Sequence, residues 1–411
     1  MSKAKTKALE LLKSPQFFPE LLSAIRKAGV VGEEQNALVI YIAATSRLLE
    51  KPLCLFVKGS SGAGKNFLTD AVLELLPSSE TRVLTSSSLR SWNYFGNALA
   101  HKIVYVKERN ESAGSVHPLR LLISENGLVH NVTEKRNGRF VVKRRVTKGP
   151  VAGISTTTQD RVEVDDETRN LSIWLDETPE QTKRIMEAAV ENHDRLEANE
   201  RKAWHEVQRI IQKRAALPIE RPAWFKNFLS DVRSDNLWAR RYFPAFVQAC
   251  GIVALIRSFR SAAKTTDKSK GIIVRFTDFA VAALIFNAVF KHSIDRADDE
   301  DFEVQQYVRR ISLRKDGKGV RGSELAGEMG VSADRAYDLL RKAARAGAIF
   351  RSNQPSKANL KFYLPTKARP FLPDPADVFQ KIDGLPDRVK FVHPLTGEWM
   401  IYSRELGDEQ D

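Results

Sequence analysis

The chain has 411 residues, enough for two or three domains that each bury a core. Its longest apolar run, Ala37 to Ala44, is too short to span a bilayer, and its charged start lacks the apolar core of a signal peptide. Two isolated cysteines and seven scattered histidines argue against disulfides and structural zinc. We therefore expect a cytoplasmic protein that has no membrane segment.

The net charge of +14 is concentrated in two segments. Residues 135–148 contain seven basic side chains and no acidic one, and residues 304–369 contain fifteen basic and five acidic side chains. The rest of the chain together carries −3. Basicity that is this local favours two nucleic-acid contact sites over a general solubility charge.

Residues 1–50 are predicted to be helical, and they precede the strongest motif of the chain. The apolar segment Leu53 to Val57 predicts a buried strand, and Phe67 to Leu76 predicts a helix. The intervening loop, GSSGAGKN, would direct backbone N–H groups and one lysine at phosphates. An ordinary glycine-rich turn is the alternative, but strand, loop and helix occur in the order of a P-loop. The predicted phosphate-binding residues are Gly59, Ser60, Ser61, Gly62, Ala63, Gly64, Lys65, Asn66 and Phe67.

Two positions depart from the usual metal-binding pattern. Asn66 replaces the Ser or Thr that normally ligates Mg²⁺, although an amide oxygen can also serve as a ligand. The predicted strand Ile103 to Val106 ends in Lys107-Glu108, where an acidic pair is usual. Glu108 can orient the attacking water, whereas Lys107 cannot bind Mg²⁺. A solvated carboxylate is the alternative interpretation of Glu108.

The segment Val129 to Val146 predicts a basic β-hairpin, because Asn137-Gly138 is the strongest short signal for a two-residue turn. Such a hairpin would contact phosphates or would form a solvated sheet edge. Its candidate DNA-binding residues are Lys135, Arg136, Arg139 and Lys143.

Two further predicted strands complete a parallel α/β sheet. The strand Val151 to Ser155 leads into Thr156 and Thr157, whose hydroxyls could sense a γ-phosphate. Arg169 precedes the strand Leu171 to Leu175. We expect residues 51–178 to form this core.

Residues 179–300 are predicted to be helical. Pro179 to Leu217 has the pattern of one long, mostly solvated connecting helix, on the order of 50 Å in length. Three later helices, around Trp224 to Leu229, Leu237 to Phe259 and Phe276 to Phe290, would form a lid.

Residues 301–366 have the pattern of a winged helix-turn-helix. Ser323 and Ser332 are candidate N-caps of two short helices, and two strands would follow. A protein-binding module is the alternative, but the charge favours DNA. The residues of the second helix that would enter a groove are Arg335, Arg341 and Lys342. The tail, residues 367–411, carries no recognisable chemistry.

A family resemblance extends over about residues 35–365. It rests on four sequence segments: SRLLEKPLCLFVKGSSGAGKN, GPVAGISTTT, ETRNLSIWLDETPEQT and LWARRYFPAF. The chain resembles the self-loading, MCM-like AAA+ replicative helicases of mobile genetic elements such as phage satellites and cassette chromosomes. This resemblance implies that Glu108 is the Walker B glutamate, Thr156-Thr157 the first sensor and Arg169 an arginine finger for a neighbouring subunit. It also implies that Arg240 or Arg241 is the second sensor and that the hairpin tips line the channel of a homo-hexamer.

The expected fold is therefore an α/β AAA+ P-loop core with an inserted basic hairpin, a helical lid and a C-terminal winged helix. The expected function is an ATP- and Mg²⁺-dependent DNA helicase and replication initiator. Single-stranded DNA would occupy the channel, and the winged helix would bind duplex origin DNA. The alternative is a DNA-binding initiator or helicase loader that does not unwind DNA and uses nucleotide only for assembly.

Overall fold

The computed structural model describes residues 2–85, 92, 95–109, 117–136, 139–159, 162–191, 195–234, 238–260, 271–295, 299–315, 319–345, 349–352, 362–365 and 371–404. The chain forms two compact units. The first unit contains Met1–Leu229, Phe243–Phe286 and Asp374–Asp411, and the second contains Ser230–Tyr242 and Asn287–Pro373. The five-part division expected from the sequence stays a prediction.

The first half of the chain contributes both helices and strands. They are α1 (Lys3–Lys13), α2 (Phe17–Lys27), α3 (Glu34–Thr45), β1 (Leu55–Lys58), α4 (Lys65–Leu73), β2 (Thr81–Leu84), β3 (Lys102–Val106), α5 (His117–Glu125), β4 (Gly127–Arg136), β5 (Arg139–Lys148), β6 (Val151–Thr157), α6 (Val164–Glu167), β7 (Leu171–Trp174), α7 (Pro179–Val190) and α8 (Ala198–Arg214).

The second half is mostly helical. Its elements are β8 (Ile219–Glu220), α9 (Ala239–Arg257), β9 (Ile272–Ile273), α10 (Phe276–Asp295), α11 (Asp299–Arg314), α12 (Gly322–Met329), α13 (Ala333–Arg345), β10 (Ile349–Ser352), β11 (Phe362–Pro365), α14 (Pro375–Lys381), β12 (Arg388–Val392) and β13 (Trp399–Ser403). Among the described residues, none of these helices is long and apolar enough to cross a membrane.

A parallel sheet with the strand order β2-β3-β6-β1-β7 forms the core of the first unit. Leu55, Phe56 and Val57 of β1 are fully buried, as their continuous apolar run predicts. Because β6 lies between β1 and β3, the carboxyl ends of these three strands meet at one edge. The predicted α/β fold with a parallel sheet is confirmed.

The predicted basic hairpin is also confirmed: β4 and β5 form a two-stranded antiparallel sheet of their own. Arg136 pairs with Arg139 at its distal end, and the turn residues Asn137 and Gly138 lie outside the described residues. Most described side chains of β5 are exposed, so both faces of this arm meet solvent.

The prediction of one long helix from Pro179 to Leu217 is wrong. Helix α7 ends before Glu191, and α8 begins after Glu197; both of these residues have extended backbone. Trp204 of α8 is buried and contacts Phe17 edge to face. This helix therefore packs into the core with the N-terminal helices and is not a solvated connector.

The C-terminal segment forms α14, β12 and β13 within the first unit. Phe379 of α14 and Tyr402 of β13 pack against Phe276 of α10, with ring centroids 5.2 and 6.2 Å away. The tail that looked featureless in sequence is therefore a packed part of this unit.

The second unit contains α11, α12, α13 and the antiparallel pair β10–β11 around one apolar core. Ser332 caps α13 as predicted, because its hydroxyl accepts the backbone N–H of Arg335. The predicted cap at Ser323 is wrong: α12 starts one residue earlier, and Glu324 accepts the N–H of Arg321. Three helices followed by a strand pair are the order that a winged helix requires, and that assignment stays a prediction.

Candidate functional site

The glycine loop lies at the carboxyl end of β1, where its conformation depends on glycine. Gly62 and Gly64 have φ values of 85° and 91°, which side-chain-bearing residues rarely adopt, and α4 begins directly after Gly64. The ammonium group of Lys65 donates to the carbonyl oxygens of Gly59 and Ser60, at 2.7 and 2.6 Å. The loop therefore has the strand, turn and helix N-terminus that a phosphate-binding P-loop requires.

Asn66 connects the P-loop to the two neighbouring strands. Its Oδ1 accepts the Thr156 hydroxyl at 2.7 Å and the Tyr105 hydroxyl at 3.3 Å. Its Nδ2 donates to Oε1 of Glu108 at 3.2 Å. The Thr156 hydroxyl in turn accepts the backbone N–H of Glu108 at 2.9 Å. The structure thus brings Asn66, Glu108 and Thr156 together.

Thr157 does not join this group. Its buried hydroxyl donates to the carbonyl oxygen of Arg109 and accepts the N–H of Gln159, so it contacts the backbone beside the site. Of the two candidate sensor threonines, only Thr156 faces the P-loop residues.

The oxygen atoms near the P-loop suit Mg²⁺ only if nucleotide and water supply most of its ligands. The described residues contain no group of three His, Cys, Asp or Glu side chains that could hold a metal ion. Lys107 forms an ion pair with Asp70, 2.7 Å between Nζ and Oδ2. Asn66 and Glu108 remain as oxygen donors, and Mg²⁺ in phosphate sites commonly uses one or two protein ligands.

Glu177 also contacts the P-loop, and sequence reasoning missed it. It follows β7, and its carboxylate accepts both the backbone N–H and the hydroxyl of Ser60, the latter at 2.7 Å. These bonds lower the pKa of Glu177. The preceding residue, Asp176, is held through its N–H by Glu33 of the N-terminal segment at 2.8 Å. A carboxylate thus occupies one anion-binding N–H group of the loop.

Buried ion pairs fix the strand ends beneath the site. Lys58, the last residue of β1, contacts Glu167 at 2.7 Å. Asp166 binds both Arg109 and Arg120. Burial alone would raise the pKa of Asp166, but the hydrogen bonds and charges of the two arginines outweigh it, and the pKa is lowered. Since Arg109 follows Glu108 directly, this pair fixes the backbone of the candidate catalytic carboxylate.

Arg169 lies near the amino-terminal end of β7, whereas the P-loop follows the carboxyl end of the neighbouring strand β1. Arg169 is two residues before the start of β7, and its Nε donates to the Ser124 hydroxyl at 2.7 Å. The parallel register pairs Leu171 with Leu55 and Trp174 with Lys58. At about 3.3 Å per residue, Arg169 is therefore roughly 15 Å from the end of β1 that carries the P-loop of its own chain.

The candidate DNA-binding residues divide between the two units. Lys135, Arg139 and Lys143 are exposed on the hairpin, whereas the side chain of Arg136 lies outside the described residues. Phe140, beside the hairpin tip, is 76% exposed, a feature that a search for charge alone overlooked.

In the second unit, Arg335, Arg341 and Lys342 are exposed on α13, and Arg341 contacts Asp338 at 2.6 Å. The sensor candidates Arg240 and Arg241 are exposed at the start of α9, also within this unit. Their role at the nucleotide stays a prediction.

Comparison with known proteins identifies the family of the chain. No protein of curated function shows detectable sequence similarity to the chain. Among solved structures, a full-length MCM homologue from Methanopyrus kandleri is similar at 11% identity with a TM-score of 0.46, over 72% of this chain and 63% of that one. The model of the MTBMA_p00010 P-loop domain matches residues 2–214. Because that match covers more than half of the sequence, the chain belongs to the MTBMA_p00010 P-loop domain family.

Proposed function

We propose that this protein is an ATP-driven DNA helicase that initiates replication of a mobile genetic element and works as a homo-hexamer. The observation that carries the proposal is the contact group at the P-loop. Asn66 joins the loop to Glu108 and to Thr156, so the ends of three strands would surround the γ-phosphate of a nucleotide bound at the loop. This is the arrangement that hydrolysis needs, with a water-orienting carboxylate and a hydroxyl that senses phosphate.

In this proposal, each residue has a separate task. The loop N–H groups and Lys65 hold the phosphates, and Glu108 orients the attacking water. A bound Mg²⁺ would supply charge neutralisation at the β- and γ-phosphates, and Asn66 and Glu108 are the residues that would hold it. Arg169 completes the site of a neighbouring subunit, because it is too distant from its own P-loop.

The basic hairpin supports DNA as the substrate. Its two strands extend outside the main sheet and carry exposed Lys135, Arg139 and Lys143. Phe140 adds an exposed aromatic ring on which a base could stack. A hairpin that combines cations with an aromatic ring suits a single strand, whose phosphates and bases are both accessible. The exposed basic face of α13 would bind the duplex origin, with α13 as recognition helix.

A specific observation favours a second function. Asp70 forms an ion pair with Lys107, and Glu177 accepts a hydrogen bond from Ser60. Neither the Asp70 nor the Glu177 carboxylate is therefore available to a metal ion as the site stands. A protein with this site could bind nucleotide and assemble on DNA with little hydrolysis. It would then act as an initiator or as a loader of another helicase.

One experiment separates the two functions. ATP hydrolysis and unwinding of a forked DNA are measured together for the wild type and for Lys65→Ala. The helicase predicts both activities in the wild type and neither in the variant. Nucleotide-dependent assembly on DNA without hydrolysis or unwinding by the wild type would establish the loader function.

A further inference from the structure

The first unit contains a cavity of about 750 Å³ that lies away from the P-loop and that the proposed function does not use. Its lining comes from the N-terminal helices, the segment that joins β9 to α10 and the β12–β13 hairpin. Aromatic rings form much of the wall, among them those of Phe18, Trp224, Phe276, Phe391 and Trp399. A volume of this size holds a small organic ligand rather than a single ion.

Among the described residues, four cations (Arg257, Arg260, Arg275 and Lys390) and one carboxylate (Asp278) line the same cavity, so its positive charges outnumber its negative ones. Asp278 accepts from Nε of Arg257 at 2.7 Å and from the backbone N–H of Arg275 at 2.8 Å. A second nitrogen of Arg257 donates to the carbonyl oxygen of Ile273 at 2.8 Å. The single acid of the cavity is therefore engaged by Arg257, which is itself satisfied.

Arg260 is attracted by the charge of Asp278 but has no hydrogen-bonded carboxylate of its own among the described residues. Among the described residues, its side chain has no ion pair, and its buried Nε has no hydrogen-bond acceptor. Burial lowers the pKa of this guanidinium, which reflects its loss of water. The side chain of Arg260 is half-buried, and a cation that has lost part of its water is stabilised when an anion pairs with it.

We propose that this cavity binds a small organic anion whose carboxylate or phosphate pairs with Arg260 and whose flat apolar body packs against the aromatic wall that includes Trp224 and Phe276. The argument is charge complementarity together with shape. The lining offers an excess of positive charge, with Nε of Arg260 lacking an acceptor, and several aromatic faces, so an inorganic anion would leave the apolar wall uncovered. A neutral aromatic compound would leave the charge unpaired.

The test uses three probes with the same ring system on the full chain. They are 2-naphthoate, 2-naphthyl phosphate and the neutral 2-naphthalenemethanol, and binding is measured by calorimetry. We expect an anionic probe to bind at least about tenfold more tightly than the neutral one, because a charged hydrogen bond contributes about 1.5–3 kcal/mol. The stronger of the two anionic probes identifies whether the site prefers carboxylate or phosphate.

Substitutions connect the binding to Arg260. Arg260→Gln should weaken the anionic probe at least about tenfold and leave the neutral probe unchanged, whereas Lys213→Gln, on the exposed end of α8, should change neither. In the absence of ligand, Arg260→Met should raise the melting temperature, because it removes a half-buried charge whose Nε has no acceptor among the described residues. A fall in melting temperature would show that Arg260 already has a structural partner and would overturn the proposal.

Three other outcomes would also overturn it. Equal binding of the neutral and anionic probes would show that Arg260 does not recognise charge. Loss of probe binding in Lys65→Ala would place the anion on the P-loop. Displacement of the probe by oligothymidylate, dependent on Arg260, would make the cavity a DNA contact in place of a small-molecule site.

Discussion

At the scale of single residues, Glu108 is the carboxylate that the proposed function assigns to hydrolysis as distinct from nucleotide binding. It contacts Asn66 of the P-loop helix, and its backbone N–H is held by Thr156. We expect Glu108→Gln to reduce ATP hydrolysis at least about a hundredfold, since a positioned general base contributes roughly 10²–10⁴. Nucleotide affinity should change little. A phosphate-release assay paired with nucleotide titration measures both, and Glu125→Gln is a matched exposed control.

Hydrolysis that persists in Glu108→Gln would mean that another group orients the water. The Glu108 assignment would then be withdrawn, while the P-loop assignment would stand.

Glu177 allows an opposite prediction, because its removal should strengthen binding. Its carboxylate accepts the N–H and the hydroxyl of Ser60 in the nucleotide-free loop. A bound nucleotide must displace the Glu177 carboxylate or bind beside it. Glu177→Gln should therefore tighten ATP binding about three- to tenfold. The effect is modest because Glu177 is exposed to solvent. A fluorescent nucleotide titration measures the change, with Glu180→Gln, three residues later, as control. Weaker binding in Glu177→Gln would show that this residue holds the nucleotide instead.

At the scale of elements, α6 connects the end of β3 to α5 through Asp166. That carboxylate pairs with Arg109 and Arg120, and both Asp166 and Arg109 are buried. Asp166→Asn should lower the free energy of unfolding by roughly 3 kcal/mol, because it leaves a buried arginine without its counter-ion. Chemical denaturation of the wild type and the variant at pH 7 measures the difference.

The pH dependence of that difference has a definite sign. The pKa of Asp166 in the folded protein is lowered from the ordinary value of 3.8, so its stabilisation is present above pH 3.8. It is lost as the pH falls through the lowered pKa. The gap between wild type and Asp166→Asn should therefore shrink in acid, and a gap that stays constant to the lowest pH would contradict the ion pair.

In the proposed function, translocation depends on the hairpin. Arg139 and Phe140 are exposed beside its tip, and Arg136 pairs with Arg139 across the strands. Arg136→Ala with Arg139→Ala should abolish fork unwinding and flatten the salt dependence of strand binding, by about 0.7 in the logarithmic slope per lost contact. DNA-free ATPase activity should remain, because the hairpin forms a sheet separate from that of the P-loop. Normal unwinding by this double variant would leave the hairpin as a solvated sheet edge.

Elements with strong local signals were predictable, and those that depend on distant contacts were not. The P-loop and the hairpin follow from glycine spacing and from an Asn-Gly turn, which act within a few residues. The break between α7 and α8 has no glycine or proline to mark it. It follows from the burial of Trp204 beside Phe17, almost two hundred positions away in the chain.

The candidate site shows the same limit. Lys65, Asn66 and Glu108 could be named from motifs, because each belongs to a short pattern. Glu177 could not, since its contact with Ser60 exists only because β7 pairs with β1. An acidic residue three positions after the end of a strand was the one available signal, and strand order cannot be read from sequence alone.

At the scale of the whole molecule, the position of Arg169 bears on assembly. Its side chain is hydrogen-bonded to Ser124 near the amino-terminal ends of the parallel strands, whereas the P-loop lies at their carboxyl ends. An arginine that completes a nucleotide site from there must serve another subunit, and such head-to-tail contacts close into rings. Lys65→Ala should inactivate the P-loop of its own subunit, and Arg169→Ala should inactivate a neighbour.

Mixing these two inactive variants tests this arrangement. An Arg169→Ala subunit keeps an intact P-loop, and a Lys65→Ala subunit keeps an intact Arg169. One complete site forms where these two subunits meet in the right order. Random mixing at equal amounts should restore about a quarter of the wild-type ATPase activity, because each interface needs one particular order of neighbours. A mixture of Lys65→Ala with Lys65→Ala/Arg169→Ala is the control and should stay inactive. If the first mixture also stays inactive while both variants assemble with the wild type, Arg169 does not act across an interface. Catalysis would then give no support to the proposed ring.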